Sequence, residues 1–306
     1  MIGWRNRFDP DGIAQRRLSG RSREFTERTI GNIMKILIVD RDEMTANMIK
    51  SRVEPLGHTV EIHPEKGESL DKIVREGWDI IFLDPSPLTT IKPMTMQIRR
   101  NVRQNVHLVL LSDHMTEEES TTGGFNELLS KPIDPSRIEE ILDRAFFMNN
   151  LMKHLANDEV DFPSAGGVIA KSAYNQLFLS CIDRAGRYGE TAHTIFITFA
   201  NYNDISAKDG AYEAEMISAK LAQHLVRIRR QSDIIAQTRT NEYALLLLRP
   251  LNESEPIEAA NRFAESLSKC TDLPSTPYMD VEIGVTLLSL PEGKKVVDHK
   301  LTVRQD

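Results

Sequence analysis

Cysteine is nearly absent: Cys181 and Cys270 are the only two in 306 residues. Two thiols cannot build a disulfide framework, and these lack zinc-ligand spacing. A reducing, cytoplasmic setting is the expectation, with both thiols acting as small buried apolar groups. Long apolar runs are missing too. No window approaches the ~20 apolar residues that a membrane span needs, so no membrane insertion is expected. Positive charge is not in excess: the formal net charge is −7, which gives no electrostatic footprint for nucleic acid. The eight histidines are scattered without metal-ligand spacing, and no Gly-rich phosphate loop is present. What is there, 40% hydrophobic and 27% charged residues, has the balance of a globular protein. The length suits two domains of ~100 to 150 residues.

Residues 1–33 lack hydrophobic periodicity and carry Arg5, Arg7, Arg16, Arg17, Arg21, Arg23 and Arg28, which predicts a disordered basic segment. From Lys35 the pattern becomes regular. Ile36-Leu37-Ile38-Val39 ends in Asp40, Ile80-Ile81-Phe82-Leu83 in Asp84, Leu108–Leu111 in Ser112, and Leu128-Leu129-Ser130 in Lys131-Pro132. Helical stretches fall between these runs, one through Val53 and another over Glu68–Glu76. Short, wholly apolar strands alternating with helices predict a doubly wound parallel sheet covered on both faces. Ser136, with Glu139 three residues on, predicts the start of an amphipathic helix reaching about His154. Met and Phe residues at 146 to 152 on it suit a dimer or interdomain seam. Pro163 and Gly166-Gly167 mark a linker. Beyond it the order α-β-α-β-β-α-β predicts an α+β unit with a sheet of mixed direction.

In a doubly wound sheet ligands gather at the carboxyl ends of the strands, so Asp40, Asp84, Ser112 and Lys131 should converge on one edge. On these residues, 34–147 resembles the receiver domain of two-component response regulators, a flavodoxin-like fold. The resemblance makes Asp84 the phosphoacceptor, served by a histidine kinase or phosphotransfer protein. It makes Asp40 and Asp42 the acids of a Mg²⁺ site, Ser112 the switch hydroxyl and Lys131 the ion-pairing lysine. The departure is Arg41, which stands where the family has its second acid. A guanidinium within ~4 Å of Asp84 would be worth ~4 kcal/mol at an effective dielectric of 20, enough to replace the metal or block it.

Residues 164–290 resemble a GGDEF domain, the ferredoxin-like α+β cyclase domain that makes cyclic di-GMP. The likeness rests on element order, on Gly167 and Tyr174, on the run Glu242–Leu248, and on Ile283-Gly284-Val285. That family needs a Gly-Gly turn, two acidic positions and a metal-binding aspartate. Here the hairpin reads Arg239-Thr240-Asn241-Glu242-Tyr243, and Ala200 then Asn201 stand after the preceding strand. Across the degenerate positions Ala200, Thr240, Asn241 and Glu242 two of the family's carboxylates are gone, at Ala200 and Asn241, so the metal pair that would activate GTP has little to hold it. One family feature survives. Arg230-Gln231-Ser232-Asp233 has the Arg-x-x-Asp form and spacing of the product-binding site, which implies cyclic di-GMP as a ligand of Arg230 and Asp233. The alternative at these positions is an i, i+3 pair closing a helix.

The combined expectation is a non-catalytic cytoplasmic response regulator. Its parts are a basic segment 1–33, a receiver 34–147, a helical linker 148–163, a degenerate GGDEF-like domain 164–290 and a tail 291–306. A homodimer and a downstream protein partner are expected. An active diguanylate cyclase and a phosphorylation-independent pseudo-receiver scaffold stand as alternatives.

Overall fold

The computed structural model describes residues 33–64, 72–73, 75–87, 90–102, 106–164, 166–270, 273 and 279–303. The expected basic segment, apart from Ile33, and most of the expected helix over 68–76 lie outside the described residues.

The first unit runs β1 (Lys35–Val39), α1 (Glu43–Val53), β2 (Thr59–His63), β3 (Ile80–Leu83), α2 (Lys92–Asn101), β4 (His107–Ser112), α3 (Glu117–Thr122) and β5 (Glu127–Ser130). Its strands are all parallel in the order β2-β1-β3-β4-β5, the doubly wound flavodoxin-like arrangement. Alternate residues of each apolar run serve opposite faces. Ile36, Ile38, Phe82 and Val109 pack on α1, while Leu37, Val39, Ile81 and Leu108 pack on α2 and Trp78. Both faces being buried explains why the strands read as continuous apolar runs.

Next comes α4 (Pro135–Ala156), a single helix of 22 residues. Its N-cap is Asp134, whose carboxylate accepts from Ser136 N–H, and not Ser136 as the sequence pattern suggested. Pro135 sits at the first helical position, where it lacks only an N–H that would be unpaired anyway. The helix is not a bare linker. Ile138, Ile141, Leu142 and Ala145 belong to the first core, whereas Met148, Leu151 and Leu155 are buried in the second. Each of those side chains contributes roughly 1.5–3 kcal/mol by burial. The apolar stripe expected as a dimer or interdomain seam is thus an interdomain seam, with Phe147 left partly exposed. At its C-terminus the buried Lys171 donates Nζ to Asn157 O (2.5 Å) and His154 O (3.4 Å), a cation placed on orphan helix carbonyls. His154 Nε2 bonds Thr238 O at 2.8 Å.

The second unit comprises α5 (Lys171–Tyr188), β6 (Ala192–Phe199), α6 (Tyr202–Lys208), α7 (Ala211–Ile228), β7 (Ile234–Arg239), β8 (Glu242–Leu248), α8 (Ser254–Ser268), β9 (Val281–Leu290) and β10 (Lys295–Val303). The strand order is β10-β9-β6-β8-β7, and every neighbouring pair is antiparallel rather than mixed. Beside it, among the described residues, Ile169 and Ala236 form a parallel bridge. Residues 295–303, expected as tail, form β10 against β9. Helices α6, α7 and α8 cover one face, α5 and the end of α4 the other. Cys181 and Cys270 are both buried, and burial pushes the Cys181 thiol up to about 11. Among the described residues no helix is long and apolar enough to cross a membrane.

Candidate functional site

The register of the parallel sheet sets the first site. Val39 pairs with Leu83, so Asp40 and Asp84, one residue beyond each, stand side by side. Lys131 follows β5, held by its N–H on Ser112 O at 2.8 Å. Its Nζ lies 2.6 Å from Asp84 Oδ2 and 2.7 Å from Asp40 Oδ2. Asp84 Oδ1 accepts from Ser86 N–H at 2.7 Å, and Asp40 Oδ1 accepts from Asp42 N–H at 2.9 Å. Burial would raise the Asp84 pKa, but the Lys131 ammonium and the Ser86 donors reverse it and hold the carboxyl below its ordinary range. Burial likewise works against the Lys131 charge, and the two carboxylates override it and raise its pKa. The result is an ionised, partly accessible carboxylate beside one fixed cation, competent as an oxygen nucleophile toward an activated phosphoryl group.

The structure also places three neighbouring residues singled out in the sequence. Asp42 is exposed and is the N-cap of α1, its carboxylate accepting from Met44 N–H (3.1 Å) and Thr45 Oγ1 (2.5 Å). A short carboxylate on the residue just before a helix meets the orphan N–H groups of its first turn. Ser112 Oγ turns into its own loop and accepts from His114 and Met115 N–H, both at 3.3 Å, with no hydrogen bond to Asp84. Arg41 is exposed and forms no ion pair with Asp84, so Lys131 alone neutralises the acids among the described residues.

The donor set suits a magnesium ion that brings most of its own shell. Asp40 Oδ2 is fully buried, with the Lys131 ammonium at 2.7 Å. Mg²⁺ commonly takes one or two carboxylates with water and phosphate oxygens. Among the described residues no three His, Cys, Asp or Glu side chains converge as a ready cage.

At the second site, the hairpin positions are engaged in holding the fold. Asn241 Nδ2 donates to Phe199 O (3.0 Å), and Asn241 O accepts from Phe199 N–H (2.8 Å). Asn201 bridges the start of β9, donating to Asp280 O (2.7 Å) and accepting from Glu282 N–H (2.9 Å). Thr240 O receives Ser218 Oγ at 2.8 Å. Glu242 is buried, bonded by Thr238 Oγ1 (2.8 Å) and Arg239 (3.0 Å). Ala200 supplies only its N–H, to Glu282 O. Tyr174, buried on α5, bonds Thr194 Oγ1 at 2.7 Å, and burial pushes its pKa up.

Arg230 and Asp233 do not pair side chain to side chain. Asp233 Oδ2 accepts from Arg230 N–H (2.8 Å) and from Arg262 (3.3 Å), while the Arg230 guanidinium reaches Glu255 at 3.1 Å. Arg262, on α8, was missed because it lies 29 positions from Asp233 with no local motif around it. Its Nε is buried without a hydrogen-bond partner.

No protein-family model matches the chain, and no curated protein matches it. Solved structures similar to parts of it include a response regulator from Thermotoga maritima, at 18% identity over 38% of this chain and 99% of that one, with a TM-score of 0.35. The receiver domain of a sensor histidine kinase from Pseudomonas aeruginosa, solved with a magnesium ion in its active-site cleft, shows 22% identity over 38% of this chain and 99% of that one, at a TM-score of 0.34. The GGDEF domain of the Pseudomonas aeruginosa protein TpbB or YfiN shows 16% identity over 40% of this chain and 70% of that one, also at 0.34. The chain is similar in part to receiver domains and in part to a GGDEF domain.

Proposed function

We propose that the chain is a non-catalytic response regulator: Asp84 accepts a phosphoryl group from a histidine kinase or phosphotransfer protein, and the second unit acts by binding a protein partner. The observation that carries the reading is the ionised Asp84 carboxylate, 2.6 Å from Lys131 at the edge where β1, β3, β4 and β5 end. Asp40 and Asp84 would hold the magnesium ion, which screens the incoming phosphate; Lys131 orients the acceptor oxygen and balances the charge that arrives. Loss of cyclase chemistry is supported by Asn201 and Asn241, whose amides tie backbone groups. Incubation with acetyl phosphate and magnesium, followed by mass spectrometry, tests the acceptor. One phosphoryl group per chain, lost in Asp84→Asn, is expected. No incorporation under those conditions would favour the pseudo-receiver scaffold.

A second reading concerns a ligand. The exposed Arg230 guanidinium, the part-exposed Arg262 guanidinium and Asp233, whose side-chain bonds among the described residues go to Oδ2, leave two cations and a carboxylate oxygen to meet phosphate and a guanine edge. Cyclic di-GMP has both groups, and calorimetric titration with it tests this site independently of Asp84.

A further inference from the structure

The sheet of the second unit has two unequal edges. At one, β7 is met by Ile169, which bridges Ala236 and donates its N–H to Ile235 O at 2.8 Å. At the other, β10 pairs with β9 on one side, and among the described residues no strand lies on its other side. β10 is nine residues long, and from Val297 to Val303 its register with β9 is unbroken. A long, regular edge strand presents a row of unpaired N–H and C=O groups to any chain that can match it.

The ladder fixes which groups those are. Ser289 donates its N–H to Lys294 O, towards β10, whereas Glu282 O accepts from Ala200 N–H, towards β6. Odd-numbered residues of β9 therefore bond β10, and even-numbered ones bond β6. Val281, Ile283, Val285 and Leu287 stand opposite Val303, Leu301, His299 and Val297, so these four residues of β10 bond inwards. Asp298, Lys300 and Thr302 turn their N–H and C=O groups outwards. Their side chains share one face of the sheet and are exposed, with Thr286 Oγ1 donating to Asp298 Oδ1 at 2.9 Å on that face. On the other face Val297, Leu301 and Val303 join the core, and His299 Nε2 meets Asn261 Oδ1 of α8 at 2.8 Å.

Run antiparallel to itself, this strand matches its own charge. With a two-fold axis at His299, Asp298 stands opposite Lys300 of a second copy, and Lys300 opposite that copy's Asp298. The outward N–H and C=O groups of each such pair then meet, and Val297 faces Leu301. Moving the axis by one residue destroys the match. Centred on Asp298 it sets carboxylate against carboxylate, and centred on Lys300 it sets ammonium against ammonium; like charges directly opposite are destabilising. Charges on an edge strand ordinarily hold chains apart. Here two successive outward residues carry opposite signs, so a second copy is the partner that cancels both. The apolar seam of α4 is already used between the two units of one chain. We propose that β10 is a self-association surface: two copies of the chain pair β10 with β10, antiparallel about His299, and join their five-stranded sheets into one continuous sheet. This goes beyond the proposed function and requires neither Asp84 nor a nucleotide.

Sedimentation equilibrium of the full chain tests it. The unaltered chain is expected to show a monomer–dimer equilibrium. Asp298→Lys and Lys300→Asp each set like charges opposite one another at two symmetric places, and each should raise the dissociation constant at least about tenfold. The double exchange, Asp298→Lys with Lys300→Asp, restores the opposition and should return the constant to within about threefold of the unaltered value. Lys300→Pro removes an N–H that β9 does not use, so the dimer should be lost while the urea midpoint holds. If that midpoint falls, the charge exchanges decide, because they leave the backbone donors in place. A chain that stays monomeric up to ~100 µM overturns the proposal. So does a dimer whose constant the single exchanges leave within about twofold. A double exchange no better than the single ones also overturns it, since the loss would then come from the bonds of Asp298 to Thr286 and Lys295 within one chain.

Discussion

Lys131 Nζ stands 2.6 Å from Asp84 Oδ2, across 47 positions of sequence, and this contact decides the charge of the site. Burial alone would protonate Asp84 more readily, and Lys131 reverses that. In Lys131→Ala only the Ser86 donors are left to oppose burial, so the Asp84 pKa should rise, and the protein should lose about 1–2 kcal/mol at neutral pH. The sign follows from linkage. A depressed carboxyl contributes above its unfolded pKa of ~3.9, and that contribution disappears as pH falls through the folded value. The raised Lys131 contributes below its unfolded pKa of ~10.4, and that part is lost as pH climbs through its folded value. Urea midpoints of the two proteins should therefore differ between about pH 4 and 10 and converge in acid. A gap that persists at about pH 2 would mean that Lys131 acts through packing.

Asn201 and Asn241 make a different prediction, which tests the proposed absence of cyclase chemistry. Asn201→Ala removes the amide bonds to Asp280 O and Glu282 N–H, at a cost of about 1–3 kcal/mol in urea unfolding. Restoring carboxylates by Ala200→Asp with Asn241→Glu should not create GTP turnover, because Asn241→Glu removes the amide that holds Phe199 O. Product formation by that double variant, followed by chromatography, would show that the hairpin still accommodates a triphosphate.

Lys171 is buried over the last carbonyls of α4, and those carbonyls belong to the helix shared by both cores. Lys171→Met keeps the length of the side chain and removes the donors. It should lower stability by about 1–3 kcal/mol without changing the urea m-value, since the surface exposed on unfolding is the same. A lower m-value would instead indicate that the units unfold separately once the end of α4 is loosened.

The first site was legible because a parallel sheet sends the end of every strand to one edge, so Asp40, Asp84, Ser112 and Lys131 could be gathered from four apolar runs alone. Side-chain direction was not. Asp42 turned out to cap α1 and Ser112 to serve its own loop, and both choices depend on local backbone N–H groups that composition does not record. β10 was hidden for another reason. At the edge of the sheet, Lys295–Val303 carries Asp298, His299 and Lys300 among its apolar residues, which reads as tail until β9 supplies its register. The hydrogen bond from Asn126 Nδ2 to Pro291 O was invisible in principle, since the two meet across 165 positions and neither belongs to a motif.

The Arg230 region carries the last prediction. The sequence offered two residues, and the fold adds Arg262, with a guanidinium on Asp233 Oδ2 at 3.3 Å and a buried Nε without a hydrogen-bond partner. Arg230 itself holds only a half-exposed ion pair to Glu255, worth ~0–1 kcal/mol, so a phosphate can displace it at little cost. Cyclic di-GMP should therefore bind with micromolar affinity, and Arg230→Ala and Arg262→Ala should each weaken it at least about tenfold, as charge-assisted phosphate contacts are worth ~1.5–3 kcal/mol. Glu255→Gln should strengthen binding, because it frees Arg230 beforehand. A helix-end role alone predicts the opposite pattern: no heat of binding in any of the four proteins, with Arg262→Ala less stable because Asp233, buried beside it, loses its charged partner.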